Sequence, residues 1–436
     1  MYKNRLYLLL LSAIFIFSAC NSNNNNDSNF PDDSNESASG IVRSNVIVAN
    51  EQTLISHYYG ATGTAEEGKH VLFLQNALGT IETNSTIVFG QSSAFKNGLI
   101  RKVEAVEKYG DVTKVISTQA ALDDIFEEVN IPYTQALKPM PVLEKGVENL
   151  GATESIQILA QEDGVDFHPS NISNSDLIEG KRGLDFTIDF HEVDLGRGVT
   201  LNGSVDLSLS FHMKISFHTK CTHHTWGVCT KWKHYLGHTY FYIEPEESGE
   251  VTLASDDTLS FEKEKTLGTY RFPPIDIQVG VVPVVVVPIL HFKVNAEGEL
   301  VAGMSTGFTE DIVSKVGLEH SRKHKSSSYR WHGLHSITHH FTMIPPHFDA
   351  SATAKVSTGP ELELLIYDVT GPTATLDAYL RAEADIYANP WWALYGGIEA
   401  NAGYTLEVLG HELADITLHI YDFEKDLADA GGVFPQ

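Results

Sequence analysis

Residues 184–217 alternate apolar and polar side chains almost without interruption. Leu184, Phe186, Ile188 and Phe190 open the pattern in LDFTIDFHEVDL. After the turn at LGRG it resumes through Val199, Leu201, Val205, Leu207, Leu209, Phe211, Met213, Ile215 and Phe217. A repeat of two places all of these on one side of a pleated strand, whereas a helix would scatter them around its circumference. The chain must therefore form sheet with one buried face. The run from 199 to 217 is longer than the ~3–10 residues usual for a strand, so Gly203 is expected to mark a bend or bulge. Similar segments follow to the end of the chain, among them HTYFYIE, GEVTLAS, VVVVPILHFKV, ELELLIYDV, ATLDAYLRAEADIYA and ADITLHIYDF. The expectation is a mainly β protein in which residues 184–436 form a large antiparallel β-sandwich or an elongated pair of sheets.

Upstream the pattern is shorter and more mixed. Residues 41–145 carry brief apolar runs (VLFLQNAL, STIVFG, TKVIST) and one segment with helical spacing, QAALDDIFEEVN. There Leu122, Ile125, Phe126 and Val129 recur at helical intervals, Thr118 suits an N-cap, and Pro132 follows as a stop. This zone predicts a small α+β domain. Residues 146–183, with HPSNISNSDLIEGKRG, are polar and turn-rich and predict a linker.

The first residues, MYKNRLYLLLLSAIFIFSAC, set Lys3 and Arg5 before an apolar run that ends at Ser18, Ala19 and Cys20. The run is shorter than the ~18–20 residues a membrane-spanning helix needs and fits a secretory signal over 1–19. The Leu-Ser-Ala-Cys pattern resembles a bacterial lipobox, with Phe17 departing from the usual leucine. The resemblance implies that Cys20 is acylated, that the bilayer is a partner through that lipid, and that the protein sits at the bacterial cell envelope, on the outer membrane or cell surface. Residues 20–40, rich in Asn, Ser and Asp, predict a disordered tether and resemble those of Bacteroidota lipoproteins. The body also resembles β-rich extracellular proteins in a general way that implies no activity.

A formal net charge of -27 disfavours nucleic acid and anionic lipid heads as partners. With Cys20 assigned to the lipid, Cys221 and Cys229 remain as an even pair in CTHHTWGVC, and outside the cytoplasm a pair is normally oxidised. The expected disulfide closes a nine-residue loop at a hairpin tip. The competing reading is a metal site. His223, His224 and His234 lie beside these cysteines, and a second histidine group around His335 and His339 would converge with them if the two segments packed together. Such a set would take zinc or copper; the simpler reading of histidines on half-exposed strands requires no cofactor.

Other motifs exclude themselves. GMSTG around Ser305 matches the serine-hydrolase pattern, but it lies in β context without the strand-to-helix turn that chemistry needs. HELAD at 411–415 has Asp415 where a zincin needs its second histidine, and its flanks alternate as strand. NPWWALYGG offers Trp391, Trp392 and Tyr395 as a stacking platform for a sugar ring, or simply as packing. These observations favour a non-enzymatic surface lipoprotein with a binding or structural role toward a glycan, a metal or a surface protein. The alternative is a secreted-type hydrolase of polysaccharide or ester on a β scaffold. A third reading is a pore-former whose 199–218 strand inserts into lipid.

Overall fold

The computed structural model describes residues 30–31, 36–59, 69–75, 80–136, 142–143, 156–169, 184–226, 228–322, 329–348, 350–408 and 411–430. The signal segment and Cys20 lie outside the described residues. Within them the chain is almost wholly β, arranged as two nine-stranded sheets and one of six strands.

The front sheet runs in the order Ser39–Val42, Phe126–Ala136, Val199–Thr225, Thr239–Ser255, Met304–Ser321, Arg330–His347. Val165–Pro169 and Leu184–Gly196 extend it beside strand 199–225, and Val228–Leu236 pairs with the far end of that strand. The back sheet runs His411–Asp429, Trp392–Val408, Pro372–Ala384, Ala352–Ile366, Val282–Leu300, Leu259–Arg271, Ile156–Gln161, Val142–Leu143, with Ile275–Val279 against strand 282–300. Neighbours are antiparallel apart from the short parallel pairing of 142–143 with 156–161.

The two sheets face each other across one hydrophobic core. The predicted apolar row supplies it: Phe186, Ile188, Phe190, Leu201, Leu207, Leu209, Phe211, Met213 and Ile215 are all buried. They meet Leu290, Phe292, Val356, Leu362, Leu376, Leu380 and Ile398 of the back sheet. The expected large antiparallel sandwich is the fold. Strand 199–225 runs unbroken for 27 residues. Gly203 is not its end. The ring of Phe190 and the carbonyl of Glu250 occupy the space a Cβ would need, and the register slips on the partner strand between Phe190 and Val193, where Glu192 takes φ +48°.

In Val282–Leu300 alternation fails because both faces are covered. Val284, Val285, Val286 and Val287 are all fully buried. One side meets the sandwich core. On the other, a Cβ on Gly98 would strike Val285 and Tyr367, and one on Gly90 would strike Pro283, so the small sheet seals this surface. A strand buried on both faces reads as a continuous apolar run.

The small sheet, Val46–Ala49, Thr86–Phe89, Leu99–Tyr109, Val112–Gln119, His70–Gln75, Leu54–Tyr59, is mixed, with one parallel pair. It has its own core of Leu72, Leu74, Ile87, Phe89, Val103 and Val115. Two expectations need correction here. The helix foreseen in QAALDDIFEEVN is a single turn, Leu122–Ile125, after which Phe126–Ala136 is strand in the front sheet. Phe126, Val129 and Ile131 are buried there, Val129 opposite Phe217 and Ile131 opposite Ile215. Pairing with the long strand outweighs helix propensity. Within 146–183, read as a linker, Ile156–Gln161 and Val165–Pro169 are strands of the back and front sheets.

Candidate functional site

The outer face of the front sheet carries two chemically opposite surfaces. The first is a groove of about 330 Å3 in its middle, lined by Asp206, Ser208, Glu246, Ser248, Asp311 and Val313 over the backbone of the inward-facing residues. Register builds it. Asp206 stands opposite Ser248, which stands opposite Asp311, while Ser208, Glu246 and Val313 form the next row. Alternation turns all six outward. Asp206 also accepts a hydrogen bond from the Thr187 hydroxyl.

Beneath the groove, the intervening positions point inward and hold a pair of acids. Glu247 faces Leu207 and Ile312, and Glu310 faces Gly249 and Phe341; each is 2% exposed. The two carboxyls meet one another, and no donor from the remaining described residues reaches their four oxygens. Burial first, and then the nearby charge of Asp377, pushes the Glu247 carboxyl up to about 8. Burial and the facing Glu247 raise Glu310 well above the carboxylate range. Both shifts favour the neutral, protonated form, because an ionised carboxylate buried in this medium loses its hydration without a compensating partner. Their oxygens are turned away from the groove, so they shape it without reaching a ligand.

The second surface is an arm. Beyond His218 the hairpin of strands 199–225 and 228–236 continues as a two-stranded ribbon. Seven residues of strand, 219–225, make it about 24 Å long. On its outer side His218 stacks on Tyr235 at 5.7 Å, Lys220 faces Lys233, and Lys233 lies over the Tyr235 ring at 5.3 Å. Trp226, at the tip, is 99% exposed with φ +56°. The ladder sets Cys221 opposite Trp232 and Cys229 opposite His224, with register slips on either side of His223. The side chains of His224, Cys229 and His234 lie outside the described residues.

The histidine groups do not form one cluster among the described residues. His223 is exposed on the arm, whereas His335 and His339 face a seam between edge strands of the two sheets. His335 packs on Tyr421 at 5.2 Å and His339 on Phe423 at 4.4 Å. Burial lowers the pKa of both, and for His339 Lys425 and His340 add to the effect. Among the described residues no group of three or more His, Cys, Asp or Glu is arranged to hold a metal. Trp391 and Trp392 meet edge to face at 6.4 Å and pack partly buried against the core, and the Arg381 guanidinium covers Tyr395 at 3.9 Å. They do not form one flat platform.

Ser305 lies in strand 304–321, opposite His347 on the neighbouring strand. The backbone there is extended, not a strand-to-helix elbow. His411 to Asp415 and His191 to Leu195 are likewise on strands.

Sequence reasoning missed three features. One is the buried acid pair, which occupies inward positions of an alternating pattern at Glu247 and Glu310. Another is a polar cluster in the small sheet, where His57 Nδ1 and His70 Nε2 are 3.1 Å apart and burial pushes His70 down to about 4. The third is a set of contacts made by Phe30, Pro31 and Glu36, from the segment read as tether. Phe30 packs on Tyr242 at 5.0 Å with Lys315 over its ring, the Tyr242 hydroxyl donates to Pro31 O, and Glu36 pairs with Lys214 at 2.8 Å. Comparison with family models, curated proteins and solved structures finds no match.

Proposed function

We propose that this chain is a lipid-anchored protein of the bacterial cell envelope with a non-enzymatic binding role, and that the groove of the front sheet holds a glycan. The observation that carries this reading is the groove's lining. Three outward carboxylates and two serine hydroxyls offer acceptors on two adjoining rows, with no basic side chain among the lining residues. Such a surface suits a ligand rich in hydroxyl donors, and charge-assisted hydrogen bonds to carboxylates are the stronger kind. Acylation of Cys20 and the Cys221–Cys229 disulfide belong to the same reading. Thiol labelling of denatured, unreduced protein reads out the disulfide directly.

The test is a binding screen of the 21–436 chain against envelope and host polysaccharides. Asp311→Asn combined with Glu246→Gln is expected to weaken the best ligand about tenfold or more. Equal binding by parent and variant would remove the groove from the proposal. The hydrolase reading retains one observation of its own, Ser305 facing His347 across two strands. Labelling of Ser305 by a fluorophosphonate, abolished in His347→Ala, would move the function there.

A further inference from the structure

The chain's charge is not spread evenly. Residues 207–243 and 320–348 contain no Asp or Glu, although the whole chain has 57. Each segment carries four Lys or Arg; the first holds six and the second seven of the 20 histidines. Sheet topology brings them to one end of the front sheet. Thr239 pairs with His320, His320 with Trp331, and the arm leaves strand 199–225 just beyond the same level. Alternation then sets Lys220 and Lys233 of the arm and Arg330 on one face, with Lys315 of strand 304–321 on the same face.

The acids that do reach this part of the face are largely paired. Glu244 binds Lys315 and His212, Glu319 binds His238 at 2.8 Å, and Glu36 binds Lys214. Glu128 stands opposite His218. Lys220, Lys233, Arg330 and Trp226 are exposed. The chain's N-terminal side reaches this face too, because Glu36 pairs with Lys214 on it and Phe30 packs on Tyr242. Nine residues lie between Cys20 and Phe30, a reach of at most about 35 Å when extended.

We propose that this arm end of the front sheet docks on the anionic headgroups of the bilayer. The inference rests on the lipoprotein reading for its biological setting, since the anchor is what keeps the face near lipid. Lysines at this spacing are drawn to anionic headgroups, and the indole of Trp226 has the amphipathic form that settles at the membrane interface. The net charge of -27 does not oppose this at close range, because charges farther off than a Debye length of about 8–10 Å are screened.

The experiment uses the acyl-free chain, residues 21–436, which keeps every strand of the sandwich. Its binding is measured to vesicles of phosphatidylcholine alone and of phosphatidylcholine mixed equally with phosphatidylglycerol. Binding to the anionic vesicles alone, weakened by salt, is the expected result. Lys220→Glu with Lys233→Glu should lower that affinity by about tenfold or more, while the unfolding midpoint stays where it was. Trp226→Ala should lower it severalfold with the salt dependence unchanged. Equal binding to both vesicle types, binding to neither, or full affinity in the double lysine variant would each overturn the docking proposal. The lipoprotein reading stands or falls separately, on the presence or absence of a diacylglycerol mass on Cys20 of the native protein.

Discussion

The two halves of the front sheet share an architecture and differ in what fills it. Around the groove, outward positions carry Asp206, Glu246 and Asp311, and inward ones include Glu247 and Glu310. Around the arm's base, outward positions carry His212, Lys214 and Lys315, and inward ones are Phe211, Met213, Ile215, Phe217 and Phe241, all buried. The strands pass from one half to the other without a break. The period-two pattern therefore decides which side a residue faces, and residue choice within each side decides the chemistry. One half sits over a neutral-acid pair and the other over aromatic packing.

The largest expected effect breaks the apolar half. Phe211 is fully buried and stacks on Tyr133 at 5.7 Å. Phe211→Ala should destabilise the sandwich by about 3–5 kcal/mol, read as a lower denaturant midpoint with unchanged slope. A loss under about 1 kcal/mol would mean that this half collapses freely around a cavity.

The acid pair should respond in the opposite direction. The Glu247 pKa is raised above its ordinary 4.5 to about 8. The folded state thus holds a proton that the unfolded chain releases, and the stability present below pH 4.5 is lost as pH rises through 8. Glu247→Gln should raise stability at pH 8 by about 1–3 kcal/mol and change it little at pH 4. Urea melts at the two pH values check this, and a variant that is less stable at pH 8 would contradict it.

The smallest effect lies at the seam between the sheets. His339 has a lowered pKa, so its contribution is present above the unfolded value near 6.5 and is lost as pH falls below it. His339→Leu should flatten that acid limb while leaving stability at pH 8 nearly unchanged. Melts at pH 5 and pH 8 measure it. An acid limb of undiminished slope would place the pH sensitivity elsewhere, His70 being the next group to replace.

Much of this was legible in the sequence because one signal dominated. Alternation from Leu184 to Phe217 specified strands, their buried face and the sandwich. It could not specify neighbours, since order in a sheet depends on contacts distant in sequence. The failures came where tertiary cover overrode local pattern. Leu122 to Val129 has helical spacing, but Val129 and Ile131 have long-strand partners to bury against. Ile156–Gln161 lies within a polar stretch and is strand because strand 259–271 offers it an edge. Of the candidate site residues, Trp391, Trp392 and Tyr395 were found as aromatics but not as packed or covered ones. The groove was invisible because its acids come from three strands. The charge segregation was visible as two acid-free segments, but a net value averages it away.

A body with acids at one station of a face and cations some fourteen residues farther along the same strand, Asp206 to Lys220, carries its opposite charges roughly 45 Å apart. That separation is an electric dipole lying along the sheet. Near a negatively charged surface it experiences a torque as well as a net repulsion, so the molecule turns before it touches. In the proposed docking the cations lead and the acidic groove trails, tilted up and open to the medium instead of pressed against the lipid.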